Sequence, residues 1–78
     1  MAIKADQTLD CSGLSCPMPI LKLAKGIKNV EVGQVLEMLA TDPGSKTDVP
    51  AWCEKTGNEF IEALEEKGTY KYYIRRTK

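Results

Sequence analysis

Apolar and polar positions divide the chain into short segments of different period. Gln7-Thr8-Leu9-Asp10 combines strand-compatible Thr8 and Leu9 with an end at the Ser12-Gly13 turn, and is predicted as a first strand. From Pro17 to about Lys28 the period becomes helical. A wheel at about 100° per residue gathers Leu23, Ile27, Ile20, Ala24 and Leu21 on one broad face, with Lys22 and Lys25 opposite. Gly26 weakens such a helix by up to about 1 kcal/mol relative to Ala, so a packing reason is expected for it. Gln34-Val35-Leu36-Glu37-Met38-Leu39-Ala40 is nearly continuous in apolar character and stops at Asp42-Pro43-Gly44, as suits a central strand. Strand, helix and strand in this order form a right-handed unit with parallel strands. The segment from Asp10 to Cys16 and the segment from Thr41 to Gly44 then share one sheet edge, where open α/β sheets carry their sites.

Asp42 to Asp48 is dense in turn and cap residues and leads into a second, short helix at Val49-Pro50-Ala51-Trp52-Cys53-Glu54-Lys55-Thr56, with Pro50 near its start and Gly57 as its stop. Val49, Trp52, Cys53 and Thr56 share a face, which makes Trp52 and Cys53 core candidates. Glu59-Phe60-Ile61-Glu62-Ala63-Leu64-Glu65-Glu66 is rich in helix formers and reads as helix on propensity alone, whereas Thr69 to Arg75 alternates as a strand that needs a partner.

Candidate chemistry concentrates at Cys16-Pro17-Met18-Pro19. Proline suits the first turn of a helix, so Cys16 is expected at a helix N-terminus, where unpaired amides and the positive end of the macrodipole favour thiolate over thiol. The plain alternative is a cysteine that only caps or packs. Asp10 and Asp42 are expected near Cys16 and oppose ionisation, while Lys22, a turn inside the helix, is expected too far away to compensate; partial activation follows. Cys11, five positions before Cys16, is either an inert strand-end residue or a resolving thiol for a disulfide.

Leu9-Asp10, Gly13-Leu14 and Cys16-Pro17-Met18-Pro19-Ile20 resemble the signature of the TusA/SirA family of small sulfur-carrier proteins. Further matches lie at Gly33, Ala40-Thr41-Asp42-Pro43, Asp48-Val49-Pro50-Ala51-Trp52-Cys53 and Thr56-Gly57-Asn58-Glu59, so the resemblance runs from about Leu9 to Arg76. It implies that Cys16 carries sulfur as a persulfide, received from a cysteine desulfurase or rhodanese-like donor and passed to a thiol-bearing acceptor protein. The family's routes are tRNA thiolation, cofactor assembly and sulfur oxidation, and its members act as carriers rather than stand-alone enzymes. It also implies that residues 58 to 67 form a strand, with Glu66-Lys67-Gly68 as a hairpin turn and Phe60, Glu62 and Leu64 alternating with Ile61 and Ala63. The expected fold is a βαβαββ α/β two-layer sandwich with a four-stranded mixed sheet and two helices on one face. Asn58 stands where several members have histidine, which weakens any proton-transfer role there. The other function classes in view are a regulatory or protein-binding module in which Cys16 only caps a helix, and a thiol-disulfide oxidoreductase using Cys11.

Composition narrows these readings. Seventy-eight residues suit a single domain, residues 1 to 78. Eleven basic and eleven acidic side chains cancel, so charge gives no steering toward nucleic acid, and a monomer that docks transiently on proteins is expected. The clusters Lys22, Lys25, Lys28 and Lys71, Arg75, Arg76, Lys78 read first as solvated faces. No apolar run approaches membrane-spanning length and the N-terminal stretch lacks the core of a signal peptide, so a cytoplasmic protein is expected. Three cysteines do not make a closed disulfide framework, and with no histidine the usual mixed zinc sites and Cys-His pairs are missing; no metal and no cofactor are expected.

Overall fold

The computed structural model describes residues 5 to 15 and 18 to 77. Cys16 and Pro17, at the centre of the candidate motif, lie outside the described residues. The elements run β1 (Gln7–Cys11), α1 (Met18–Gly26) with a closing 3-10 turn at Ile27–Asn29, β2 (Val35–Ala40), α2 (Ser45–Thr56), β3 (Glu59–Glu66) and β4 (Thr69–Arg75). The sheet order is β1-β2-β4-β3, with β1 parallel to β2 and the other neighbours antiparallel. This is the expected βαβαββ arrangement with a mixed four-stranded sheet and two helices.

Alternation along the strands decides which face is covered. Leu9 beside Met38, Cys11 beside Ala40, Leu36 beside Ile74 and Met38 beside Tyr72 point to one side. There they meet Leu23, Ile27, Val49 and Cys53 from the helices, with Ile20, Trp52 and Phe60 packed at the margin. Trp52 therefore borders the core instead of filling it. The opposite face carries Thr8, Glu37, Lys71, Tyr73 and Arg75, linked by polar contacts: Tyr73 donates to Glu37 Oε2 at 2.7 Å and Thr8 to Glu37 Oε1 at 3.2 Å. Lys71 pairs with Glu66 at 3.2 Å, and Arg75 pairs with Glu59.

Several sequence expectations are corrected. Leu21 is 51% exposed, because it stands about 160° from Leu23 on the wheel, beyond the stripe that the sheet covers. Gly26 has the packing reason expected of it: a Cβ there would sit 2.9 Å from both terminal methyls of Leu9, so α1 crosses β1 at close range. The second helix starts four residues before Val49, at Ser45, which places Pro50 inside it. Backbone carbonyls of the preceding turn make the early start possible. Ser45 N–H donates to Asp42, Lys46 to Pro43, and Thr47 and Asp48 to Gly44. Pro50 removes the helical donor of the Lys46 carbonyl. β3 is a strand despite its helix-forming composition, but a register shift between Phe60 and Glu62 interrupts the simple alternation, so Phe60 and Ile61 are both half-buried and Leu64 is 45% exposed. The β3–β4 turn holds Lys67 and Gly68 at φ of 49° and 82°, the two positive values a tight two-residue hairpin needs. Among the described residues no helix is long and apolar enough to cross a membrane.

One buried polar chain ties α2 to the sheet. Ser45 Oγ lies 2.7 Å from the Tyr72 hydroxyl and 2.7 Å from the Asp42 carbonyl. Since the carbonyl only accepts, the Ser45 proton goes to Asp42 and Tyr72 must donate to Ser45. Ser45→Ala then leaves the Tyr72 hydroxyl without its acceptor and is expected to destabilise by about 1–3 kcal/mol. Tyr72→Phe keeps the Ser45 to Asp42 bond and is expected to cost about 0.5–1.5 kcal/mol. Urea denaturation of both variants checks the order. On the open face, the hydrogen bond to Glu37 and burial push the Tyr73 phenol up to about 12. A phenol whose folded value is raised stabilises the fold fully below its unfolded value near 10 and loses that contribution as pH rises toward about 12. The melting-temperature gap between wild type and Tyr73→Phe is expected to hold steady below pH 10 and to narrow from there to about pH 12.

Candidate functional site

The carboxyl ends of β1 and β2 lie side by side, with Cys11 paired to Ala40, so the segments that follow them meet at one edge as the parallel pairing requires. Their contact is specific. The Gly13 amide donates to Thr41 Oγ1 at 2.8 Å, and Gly13 holds φ at 79°, a left-handed conformation that glycine adopts without strain. The Asp10 carboxylate accepts from the Ser12 amide at 2.9 Å, the Leu14 amide bonds the Cys11 carbonyl at 3.2 Å, and the Met18 amide bonds the Ser15 carbonyl at 2.9 Å as α1 begins. The described residues on both sides of Cys16 are thus fixed by short local bonds.

Electrostatics at this edge has both signs. Hydrogen bonding from Ser12, helped by the charge of Lys22, holds the Asp10 carboxyl below its ordinary value. The Asp42 carboxylate caps the turn before α2 through the Gly44 amide at 3.3 Å. The Lys22 ammonium donates to the Asp10 carbonyl at 2.6 Å, near the end of β1; its expected remoteness from Cys16 concerns a residue outside the described ones. A signal for this existed in the sequence: helical side chains lean toward the N-terminus, so a long side chain one turn in can reach back past the helix start.

The other cysteines are placed in the core. Cys11 is fully buried, its thiol directed toward the Pro19 carbonyl at 4.0 Å, and desolvation raises its pKa. Cys53 is buried on α2 and pushed up to about 11 by the same cause. Both are free thiols. Asn58 bonds Thr56 at 3.0 Å and the Thr77 amide at 3.1 Å, just before β3, whereas the candidate edge adjoins the end of that strand; it serves to hold the C-terminal residues.

Among the described residues, two hollows accompany the site. Leu14, Met18, Leu21, Lys22 and Lys25 line a groove of about 260 Å³, in which Met18 and Leu21 are half exposed. A second, of about 310 Å³, lies over Tyr70, Tyr72 and Ala63, with Lys46 paired to Glu65 at 3.1 Å and standing 5.0 Å from the centre of the Tyr70 ring.

Comparison with known proteins agrees with this arrangement. The family model described as Sulfurtransferase TusA matches residues 7 to 76. The chain is 47% identical over 72 residues to the sulfur carrier protein TusA of Allochromatium vinosum, covering 92% of this chain and 95% of that one. It is 40% identical over 74 residues to the putative sulfur carrier protein YrkI of Bacillus subtilis, covering 95% and 99%. A crystal structure of the SirA-like protein from Desulfitobacterium hafniense superposes with a TM-score of 0.78 at 24% identity over 92% of this chain and 99% of that one, a likeness of fold. With the family model matched from the first strand to beyond the last, and curated relatives aligned over nearly their whole length, the chain belongs to the TusA family.

Proposed function

We propose that this chain is a sulfur carrier and that Cys16 is the residue that holds the sulfur. The observation that supports it most is the loop between β1 and α1, anchored by Gly13 on Thr41 and preceded by Asp10 of β1, whose carbonyl accepts from Lys22, with helix α1 starting directly behind Cys16 and Pro17 in the chain. The names of the curated relatives point the same way.

The transfer has two balanced steps. The Cys16 thiolate attacks the outer sulfur of a donor persulfide; a new S–S bond forms, the donor's S–S bond breaks, and the donor leaves as a thiolate. An acceptor thiolate then attacks the outer sulfur now on Cys16, and Cys16 departs as the leaving thiolate. No net oxidation occurs in either step. Stabilisation of the Cys16 thiolate assists its departure in the second step, while a very low pKa slows its attack in the first, so moderate activation suits a relay.

The donor is a cysteine desulfurase or a rhodanese-like protein, and the acceptor a protein thiol feeding tRNA thiolation, cofactor assembly or sulfur oxidation. Equal numbers of acidic and basic side chains favour transient contact with proteins over direct binding of nucleic acid. A thiol of this kind needs a reducing compartment such as the cytoplasm.

Incubation of the reduced protein with cysteine and a cysteine desulfurase, followed by intact mass measurement, tests the proposal. The expected result is a gain of one sulfur atom on wild type that a phosphine reductant removes, and no gain on Cys16→Ala. A folded Cys16→Ala that loads as well as wild type would overturn it. In the same samples, iodoacetamide is expected to modify Cys16 at least about tenfold faster at pH 7 than Cys11 or Cys53, whose burial disfavours the thiolate.

A further inference from the structure

We infer that the groove along the outer face of α1 is a docking site for a partner protein of the sulfur relay, and that it takes a segment presenting an apolar side chain between carboxylates. The link to the relay rests on the reading of Cys16 as the carrier thiol; the groove itself does not.

α1 turns Pro19, Leu23 and Gly26 into the core. Met18, Leu21, Lys22 and Lys25, at i, i+3, i+4 and i+7, share the outward face, and Leu14 from the preceding loop completes the lining of the groove of about 260 Å³. The outward face of a surface helix is ordinarily polar. Here Met18 is 49% exposed and, with Leu21, makes two of the four large apolar side chains that the described residues leave open to solvent. Exposed apolar side chains gathered in one place and bordered by polar ones mark contact surfaces. Methionine adds an adaptable, polarisable surface, which suits a carrier that meets a donor and an acceptor in turn.

Charge sets what the partner must bring. α1 carries no acidic residue. The Asp10 carboxylate feels the charge of Lys22 and offsets part of it. Lys25 has no carboxylate partner among the described residues, where the ion pairs join Lys46 to Glu65, Lys71 to Glu66 and Arg75 to Glu59. Four glutamates, Glu59, Glu62, Glu65 and Glu66, lie instead on β3, at the sheet edge opposite β1. The groove is thus apolar along Leu14, Met18 and Leu21 and positive along Lys22 and Lys25, in a chain whose total charge is zero. A protein segment with carboxylates around an apolar side chain matches both features, whereas nucleic acid matches only the charge. Leu14 and Met18 stand two residues before and two after Cys16 in the sequence, so a partner seated here engages the chain on both sides of the carrier residue.

The test titrates the isotope-labelled whole chain with a blocked hexapeptide, two leucines flanked on each side by two glutamates, and follows backbone amide shifts. Saturable shifts centred on Leu14, Met18, Leu21, Lys22 and Lys25 are expected, with binding at least about tenfold weaker when lysines replace the glutamates or serines replace the leucines. Lys25→Glu and Leu21→Ser, both at exposed positions, are expected to weaken binding by about three- to tenfold, and the same spectra report whether each variant is folded. Equal binding of the lysine or the serine peptide overturns the inference, as do shifts centred on Ala63 and Tyr70 at the other hollow, or no shift along α1 at millimolar peptide. Cys16→Ala is expected to show the same groove shifts as wild type. Desulfurase loading of wild type is run in parallel. Loading without groove binding removes the docking site and leaves the carrier reading, whereas groove binding without loading by any desulfurase or rhodanese removes the carrier reading and leaves the groove.

Discussion

Parallel pairing of β1 with β2 obliges the chain to return to its starting end between the two strands, and α1 makes that return. Once Leu9 lies beside Met38 and Cys11 beside Ala40, the residues after each strand emerge together at one edge. The helix must begin at that edge too, because it runs antiparallel to both strands. Three features the proposed chemistry needs are therefore consequences of a single crossover: a short loop with a helix start, a neighbouring loop from distant sequence, and a core directly beneath. The close passage of Gly26 over Leu9 is part of the same constraint, since a bulkier residue would lift α1 from β1 and slacken the loop ahead of it.

The second helix enters the same edge by another device. The N-cap of α2 is Gly44, which has no side chain to offer; the turn carbonyls of Asp42, Pro43 and Gly44 receive the first amides of α2, while Ser45 relays the Tyr72 hydroxyl to Asp42. The Thr41 to Gly44 segment is thus held from the helix, from the sheet through Tyr72, and from the first loop through Thr41. Its rigidity is borrowed from the core. That matters for Gly13, because an acceptor fixed in place holds the glycine amide more firmly than one on a mobile loop would.

Much of this was legible in the chain. The helical stripe of α1 and the apolar run of β2 follow from period, the hairpin turn at Glu66-Lys67-Gly68 came with the family resemblance, and the juxtaposition of the two loops follows from crossover handedness. Composition alone favours helix over Glu59 to Glu66, through glutamate, alanine and leucine, and the strand expected there came from the family resemblance; pairing with β4 and the contact of Phe60 with Tyr72 outweigh the helical preference. The start of α2 was hidden because its first amides bond backbone, which leaves no side-chain signature. Lys22 was hidden because a helical wheel records angle and omits the lean of side chains toward the N-terminus.

Three thiols in one small chain raise a problem of selectivity for any persulfide carrier. A sulfur held on Cys16 would be lost if a neighbouring thiolate attacked the inner sulfur: a disulfide would form and hydrosulfide would leave. Cys11 is five residues away in sequence and is the natural aggressor. The fold disarms it by making it the last residue of β1, its side chain turned into the core beside Ala40 and beneath Pro19, where desolvation keeps it protonated. Cys53 is disarmed likewise on the buried stripe of α2. Burial here does what a cysteine-to-serine replacement would do in an engineered carrier, and it does so while the sulfurs still contribute as small apolar groups to the core. In the proposed relay, the alternation of β1 that sends Cys11 inward and Asp10 outward is therefore a condition for carrying sulfur as well as for folding.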